Sequence, residues 1–105
     1  MTLTLEIAAN SLESAQAAQA AGATRVELCT ALEAGGLTPS AGMIARVRER
    51  VALPVHVLIR PRAGDSCYTD AEHQTMLADI AQCAASGCDG VVIGALTTDG
   101  EVDTA

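Results

Sequence analysis

Five polar or reactive side chains occupy alternate positions in three short apolar segments of this chain. They are Glu6, Glu27, Cys29, His56 and Arg60. Because strand side chains point alternately to opposite faces, segments 3–8, 26–29 and 55–60 each predict a β-strand with one apolar and one polar face. If the three strands lie side by side, the five side chains converge on one surface. Such a surface is either a ligand or metal site or a buried polar network.

Proton transfer is the first chemistry that this surface could perform. Glu6 and Glu27 could serve as general acid and base, and His56 could act as a base or a metal ligand. The plainer alternative for His56 is a hydrogen-bonded core histidine, because it comes early in its strand. Arg60 could also neutralise Glu6 or Glu27 in a structural ion pair.

Anion binding is the second chemistry that the residues suggest. The sequence Arg60-Pro61-Arg62 follows the third segment, and Pro61 should end that strand because proline donates no hydrogen bond to a ladder. Two guanidinium groups at the end of a strand suit a carboxylate or a phosphate. Asp65 follows in the same loop, where it could bind a ligand or cap a turn.

Helical segments separate the predicted strands. The first helix is predicted over 11–21 and the second from Thr38, with Thr38 as its cap and Pro39 at its first position. The third helix opens with a capping box at 69–72, and a fourth strand is predicted over 90–96. Each of the first and third helices should stop at a glycine before a short turn into the next strand.

The order β-α-β-α-β-α-β predicts an α/β fold with a parallel sheet and right-handed crossovers. Helices would cover the apolar face, so the polar face needs a different environment, as the interior of a TIM (β/α)8 barrel would provide. Four βα units are half of such a barrel, which has about 250 residues. We therefore expect residues 1–105 to form a single partial TIM-barrel domain, truncated at its C-terminus, with open edges that favour a homo-oligomer. The alternative is a small open sheet that is complete as it stands.

The composition restricts the possible partners. The 105 residues carry a net charge of −7 and one aromatic residue, so we expect no nucleic-acid partner. No segment approaches the roughly 18 continuous apolar residues of a membrane span, and no signal peptide is recognisable. The four cysteines form no CxxC pair, and in a cytosolic setting they would be reduced thiols rather than a disulfide framework. We therefore expect a cytoplasmic protein that binds a small molecule or a metal ion.

Several segments together resemble the CutC copper-homeostasis family. They are VELC at 26–29, GGLTPS at 35–40, PVHVLIRPR at 54–62, GDSCY at 64–68, GVVIG at 90–94 and LTTDGEVD at 96–103. The resemblance extends over essentially the whole chain, in order and with consistent spacing. It implies a cytosolic TIM barrel of about twice this length or more, of which this chain would be the N-terminal half. It also implies a role in copper handling, including Cu(I) binding in some members.

Cys29 is the residue that we predict as a metal ligand. A soft thiolate suits Cu(I), and Cys29 falls at the end of the second strand on the polar face. One thiol is too few, so a second ligand would come from Cys67, His56 or another chain. The alternative for Cys29 is a small buried side chain, and Cys83 and Cys88 near the end of the third helix are interpreted as packing residues.

Two functions stay open from the sequence. In the first, this is a copper-homeostasis protein that binds Cu(I) at Cys29. In the second, it is a TIM-barrel enzyme of unassigned reaction that acts on a small anionic metabolite. There the two glutamates and His56 would move protons, while Arg60, Arg62 and Asp65 would hold the anion.

Overall fold

The computed structural model describes residues 3–104, along which four strands alternate with three α-helices. The strands are β1 (Glu6–Ala9), β2 (Arg25–Leu28), β3 (Val55–Ile59) and β4 (Gly90–Ile93). The helices are α1 (Leu12–Ala20), α2 (Ala41–Arg50) and α3 (Asp70–Ala85), and one 3₁₀ turn spans Leu32–Ala34. The predicted α/β order is confirmed. Within residues 3–104, no helix has the length and apolar character needed to cross a membrane.

The four strands form one parallel sheet in the order β1-β2-β3-β4. Glu27 lies opposite His56 in β3, and His56 lies opposite Gly90 in β4. These positions form a row across the sheet, which Ala8 of β1 extends on the other side of Glu27. Since all the strands are parallel, their carboxyl ends meet at one edge, where the following loops gather.

The face of the sheet that packs against the helices carries the core. Its central side chains are each at most 1% exposed: Val26, Leu28, Val55, Val57 and Ile59. The helices contribute buried partners to the same cluster: Ala15, Ala18, Ile44, Val47, Met76 and Cys83. Burying one large aliphatic side chain stabilises a fold by about 1.5–3 kcal/mol, so this face fixes the register of the strands. Polar side chains are therefore directed to the opposite face.

The outer strands are shorter than the side-chain alternation predicted. β1 begins at Glu6 rather than Leu3, and β4 ends at Ile93 rather than Leu96. Leu3 is 78% exposed, so it contributes little to the core. Alternation predicts which face a side chain occupies, but a strand also needs a backbone partner along its whole length.

Helix α2 begins at Ala41, with Ser40 as its cap rather than the predicted Thr38. The Ser40 hydroxyl accepts a hydrogen bond from the Met43 N–H at 3.1 Å. Thr38 is not available as a cap, because its hydroxyl accepts from the Arg60 N–H at 2.8 Å and donates to the Arg60 carbonyl at 3.2 Å. Thr38 thus connects the segment that precedes α2 to the end of β3.

Helices α1 and α3 end in the same glycine motif. The glycines are Gly22 and Gly87, with φ angles of +97° and +79°. The residue after each glycine donates its N–H to the carbonyl five positions earlier, Ala23 to Ala18 at 3.0 Å and Cys88 to Cys83 at 3.1 Å. This is the Schellman motif, which also brings the side chains of those two residues together.

Candidate functional site

The polar face of the sheet, on the side away from the helices, gathers most of the predicted site residues. We use this name for the side chains of Glu6, Arg25, Glu27, Cys29, His56, Leu58 and Arg60. Glu6, Arg25, Glu27 and His56 are all partly buried. Within residues 3–104, every buried side-chain nitrogen or oxygen has a hydrogen-bond partner.

Glu6 is neutralised by Arg25, which faces it across the β1–β2 pairing. The Arg25 Nε donates to Glu6 Oε2 in a short hydrogen bond. The expectation that Arg60 pairs with Glu6 or Glu27 is therefore wrong: within residues 3–104 no ion pair joins Arg60 to either carboxylate. The sequence reasoning missed Arg25 because it began the second strand at Val26. Extending that strand by one residue would have put Arg25 on the same face as Glu27.

Glu27 holds its proton more tightly than an exposed glutamate does. Burial is the largest cause of its raised pKa, followed by the charge of Glu6 and a hydrogen bond between the two side chains. His56 acts in the opposite direction and lowers the pKa of Glu27. A glutamate with a raised pKa beside a second carboxyl group and an imidazole is a set of side chains that can transfer protons.

His56 lies over β4 because Gly90 has no side chain. A Cβ at Gly90 would be 3.1 Å from Cε1 and Nε2 of the His56 ring. The imidazole is thus packed closely against the backbone of β4 while remaining partly exposed on the polar face. Among residues 3–104 no hydrogen bond to the His56 ring is found, so the alternative of a hydrogen-bonded core histidine is not confirmed, and the role in proton transfer or metal binding stays a prediction. Gly90 is a second residue that sequence reasoning did not connect with the site.

Cys29 follows β2 and is covered by the next loop, so its side chain is 1% exposed. A Cβ at Gly36 would be 3.7 Å from Cys29 Cβ and 3.9 Å from its Sγ. The thiol lies 3.7 Å from the Ala9 carbonyl, to which it makes a weak hydrogen bond. Burial, and secondly the charge of Glu27, raise the pKa of the Cys29 thiol. The thiol is thus buried, protonated and weakly bonded.

Arg60 joins the loop after β2 to the loop after β3. Its Nη1 donates to the carbonyls of Ala34 and Gly36 at 2.7 and 2.8 Å, and its Nη2 donates to the Gly64 carbonyl at 3.1 Å. These bonds hold the loop that covers Cys29. Arg60 therefore stabilises the site by donating hydrogen bonds to backbone carbonyls of the two loops.

Arg62 has internal partners for all of its donors. A guanidinium has five N–H groups, and Arg62 makes five hydrogen bonds, to side chains of Glu72 and Asp65 and to carbonyls of Ala63, Asp65 and Cys67. An anion at Arg62 would have to displace some of these partners. Anion binding by Arg62 stays a prediction, and each of the five N–H groups of Arg62 already has a partner in the protein.

Asp65 and Glu72 are the acidic partners of Arg62. The Asp65 carboxylate accepts from the Cys67 N–H at 3.0 Å, which is the turn-capping alternative, and this bond and Arg62 lower the pKa of Asp65. Glu72 forms the predicted capping box with Thr69, and the Thr69 N–H and then Arg62 lower the pKa of Glu72. The loop after β3 is therefore held by an internal charge network.

Metal-binding donors are sparse on this side of the protein. Within residues 3–104, no group of three or more His, Cys, Asp or Glu side chains could hold a metal ion. The Cys67 thiol donates to the Thr97 carbonyl at 3.3 Å, linking the loops after β3 and β4.

The fold and its polar face define the class: four parallel strands and three connecting helices of part of a (β/α)8 barrel, with the helices on one face of the sheet and the polar surface on the other. The CutC family model matches residues 3–105, and the chain belongs to the CutC family. A CutC family protein of Xanthomonas axonopodis is 58% identical over 101 residues, which are 96% of this chain and 42% of that protein. One of Xylella fastidiosa is 59% identical over 99 residues, covering 94% of this chain and 37% of that protein.

A solved structure gives the same result for the fold. The CutC protein of Streptococcus agalactiae, which is named for copper homeostasis, matches with a TM-score of 0.91 at 35% identity. The match covers 98% of this chain and 50% of that one. The chain therefore spans about half or less of the length of the CutC proteins that it matches.

Proposed function

We propose that this protein acts in copper homeostasis by binding Cu(I) in the cytoplasm, with Cys29 as a ligand. The observation that carries the proposal is the position of the Cys29 thiol, at the carboxyl end of β2 beneath the following loop. Its hydrogen bond to the Ala9 carbonyl is long, at 3.7 Å, so exchange of the thiol proton for a metal breaks little internal structure. The copper-homeostasis name of the family supports the choice of metal.

The residues around Cys29 fit Cu(I) better than a hard or four-coordinate ion. Thiolate is a soft ligand that favours Cu(I), whereas a structural Zn²⁺ site requires four ligands. Gly36 lies next to the sulfur, since a Cβ built there would be 3.9 Å from Cys29 Sγ and 2.9 Å from Leu58 Cδ2. The second ligand would be Cys67, His56 or a group from another chain.

Anaerobic competition with a colour-forming Cu(I) chelator tests the proposal. Cys29→Ser should lose one equivalent of bound Cu(I), because serine keeps the size but provides a hard oxygen donor. Leu58→Val is the matched control, since it alters another side chain next to Gly36 without changing a donor, and it should keep full stoichiometry. Cys67→Ser and His56→Gln would then identify the second ligand by the same loss. An unchanged stoichiometry in Cys29→Ser would remove Cys29 from the site.

Acid–base catalysis on the same face is a second candidate. Burial and the neighbouring Glu6 carboxyl group raise the pKa of Glu27, which favours a proton on Glu27 that can be passed to a bound molecule. His56 lies opposite Glu27 and could relay that proton. The substrate would be a small anionic metabolite with an exchangeable proton.

Deuterium incorporation tests this second candidate without requiring the reaction to be known. The protein is incubated in D₂O with a pool of small carboxylates and phosphate esters, and mass spectrometry follows the deuterium content of each compound. Wild type should label a member of the pool, and Glu27→Gln should abolish the labelling because an amide cannot act as a general acid or base. Glu33→Gln, which alters an exposed glutamate in the 3₁₀ turn, is the control and should label normally. Labelling that persists in Glu27→Gln would reject Glu27 as the acid–base group.

A further inference from the structure

The end of helix α3 brings two thiols together, away from the polar face. Cys88 donates its N–H to the Cys83 carbonyl at 3.1 Å, and Gly87 donates to the Ala84 carbonyl at 3.2 Å. These two bonds define the Schellman motif, in which the third residue from the helix end meets the second residue after it. Here those two residues are both cysteine, and Cys88 packs against the hydrophobic cluster that contains Cys83. The Cys88 side chain also contributes to the raised pKa of Cys83.

We propose that Cys83 and Cys88 form a second, two-coordinate Cu(I) site at the amino-terminal end of β4. Each thiol releases its proton to water, and the two sulfurs then bind one Cu(I) as a bis-thiolate with a net charge of −1. No electron is transferred, so no oxidant or reductant is needed. The inference deepens the proposed copper function, and it rests on that function for the identity of the metal.

The packing of the motif does not by itself require cysteine. Helix α1 ends in the same motif with Ala18 and Ala23 in the corresponding positions, and both alanines are buried. Small apolar side chains are therefore sufficient to close a helix in this fold. Cysteine at both positions of the α3 motif adds a pair of soft ligands that closing the helix does not explain.

The surroundings of the pair allow an ion to enter from one side. Cys83 is 1% exposed, whereas Cys88 is partly exposed in the turn that leads to β4. Arg48, on α2, contributes a positive charge that favours the thiolate of Cys88. Asp89 and Asp79 oppose the thiolate forms of Cys88 and Cys83, although Asp89 is itself paired with Arg48 at 2.7 Å.

Burial raises the pKa of Cys83 to about 11, so both thiols are protonated at neutral pH. Oxidation and disulfide exchange proceed through the thiolate and are therefore slow at this pair. A metal ion replaces the proton at equilibrium instead, and the strength of the copper–sulfur bonds drives the exchange. The arrangement thus favours metal binding over a redox role.

Cu(I) stoichiometry in paired variants tests the inference with the whole chain, anaerobically and with all thiols reduced. Cys83→Ala, Cys88→Ala and the double variant should each lose one equivalent of Cu(I), because a two-coordinate site needs both sulfurs. The double variant reproduces the Ala18–Ala23 arrangement of α1 and should keep the far-ultraviolet circular dichroism of the wild type. If Cys83→Ala fails to fold, Cys88→Ala carries the test from the partly exposed side.

The outcomes separate this site from the one proposed at Cys29. Cys29→Ser should keep the equivalent that the double variant loses. In the Cys29→Ser/Cys67→Ser protein, Cu(I) X-ray absorption should show two sulfur ligands, since only the α3 thiols remain. A double variant that binds as much Cu(I) as the wild type, or a copper shell without two sulfurs, would overturn the inference. A failure of Cys29→Ser to lose copper would count against the Cys29 site alone.

Discussion

Replacing Gly36 with alanine should open the loop that covers Cys29. Gly36 has a φ angle of +92°, a conformation that costs an alanine roughly 1–2 kcal/mol. The added Cβ would also stand 2.9 Å from Leu58 Cδ2, closer than real Cβ contacts allow. Overpacking of this kind costs roughly 1–3 kcal/mol. The two effects together should lower the free energy of unfolding by roughly 2–5 kcal/mol.

Gly22→Ala separates the two effects. Gly22 has a similar φ of +97°, but no atom lies within 4 Å of a Cβ built there. Its variant should therefore lose only the backbone part, roughly 1–2 kcal/mol. Urea unfolding followed by circular dichroism gives both values, at one protein concentration because self-association would add to the apparent stability. In Gly36→Ala, removing the Leu58 side chain as well should recover part of the loss, which a double-mutant cycle measures.

Thiol reactivity reports the structural consequence. A short pulse of N-ethylmaleimide, followed by peptide mass spectrometry, should modify Cys29 faster in Gly36→Ala than in wild type, because the loop no longer seals the sulfur. Gly22→Ala should leave that rate unchanged. If the two glycine variants lose equal stability, or if Cys29 is modified no faster in Gly36→Ala, then Gly36 does not hold the cover over Cys29.

Three further predictions concern charge and assembly. Glu27→Gln should raise the free energy of unfolding at neutral pH, because folding raises the pKa of Glu27 and its ionisation therefore destabilises the fold. The destabilisation develops as the pH rises from the ordinary glutamate pKa of about 4.3 through the raised pKa of the folded state. Urea unfolding should show the gain above that window and none below it, and a loss at neutral pH would contradict the argument. Glu72→Gln keeps the capping box but loses the ion pair with Arg62, so it should lower the free energy of unfolding. That loss should be full above the ordinary glutamate pKa and should fade as the pH falls through the lowered pKa of the folded state. A loss of stability that persists in acid would exclude the ion pair as its cause. The edge strands β1 and β4 each have one partner in the described sheet, so sedimentation should show self-association, and a compact monomer would count against it.

The faces of the strands could be predicted from the sequence because alternation is a property of the strand itself. Val55, Val57 and Ile59 are buried against the helices, and His56 and Arg60 follow the opposite parity, as predicted. Which arginine pairs with which carboxylate could not be predicted in the same way. Arg25 takes the carboxylate that Arg60 was expected to bind, because the β1–β2 register puts it directly opposite Glu6.

Loop contacts were the least predictable part of the site. The sequence shows two arginines after a strand, but not that five acceptors between Ala63 and Glu72 surround Arg62. Those contacts depend on how the loop after β3 folds back onto α3. The thiol pair at the end of α3 could have been found, because cysteine, four residues and a second cysteine, with glycine just before the latter, is the spacing of a Schellman motif. The glycine stop signal alone does not show this contact, because it marks where the helix ends and not which side chains meet across that end.

The two candidate functions of the polar face meet at Glu27, and a single substitution separates them. The negative charge of Glu27 raises the pKa of the neighbouring Cys29 thiol and so opposes the thiolate that Cu(I) needs. Removing that charge in Glu27→Gln should therefore keep or strengthen Cu(I) binding at Cys29. The same substitution removes the carboxyl group that the acid–base function requires. If the polar face transfers protons, Glu27 has a function that explains its position beside the copper site. If the polar face only binds copper, Glu27 merely weakens that binding.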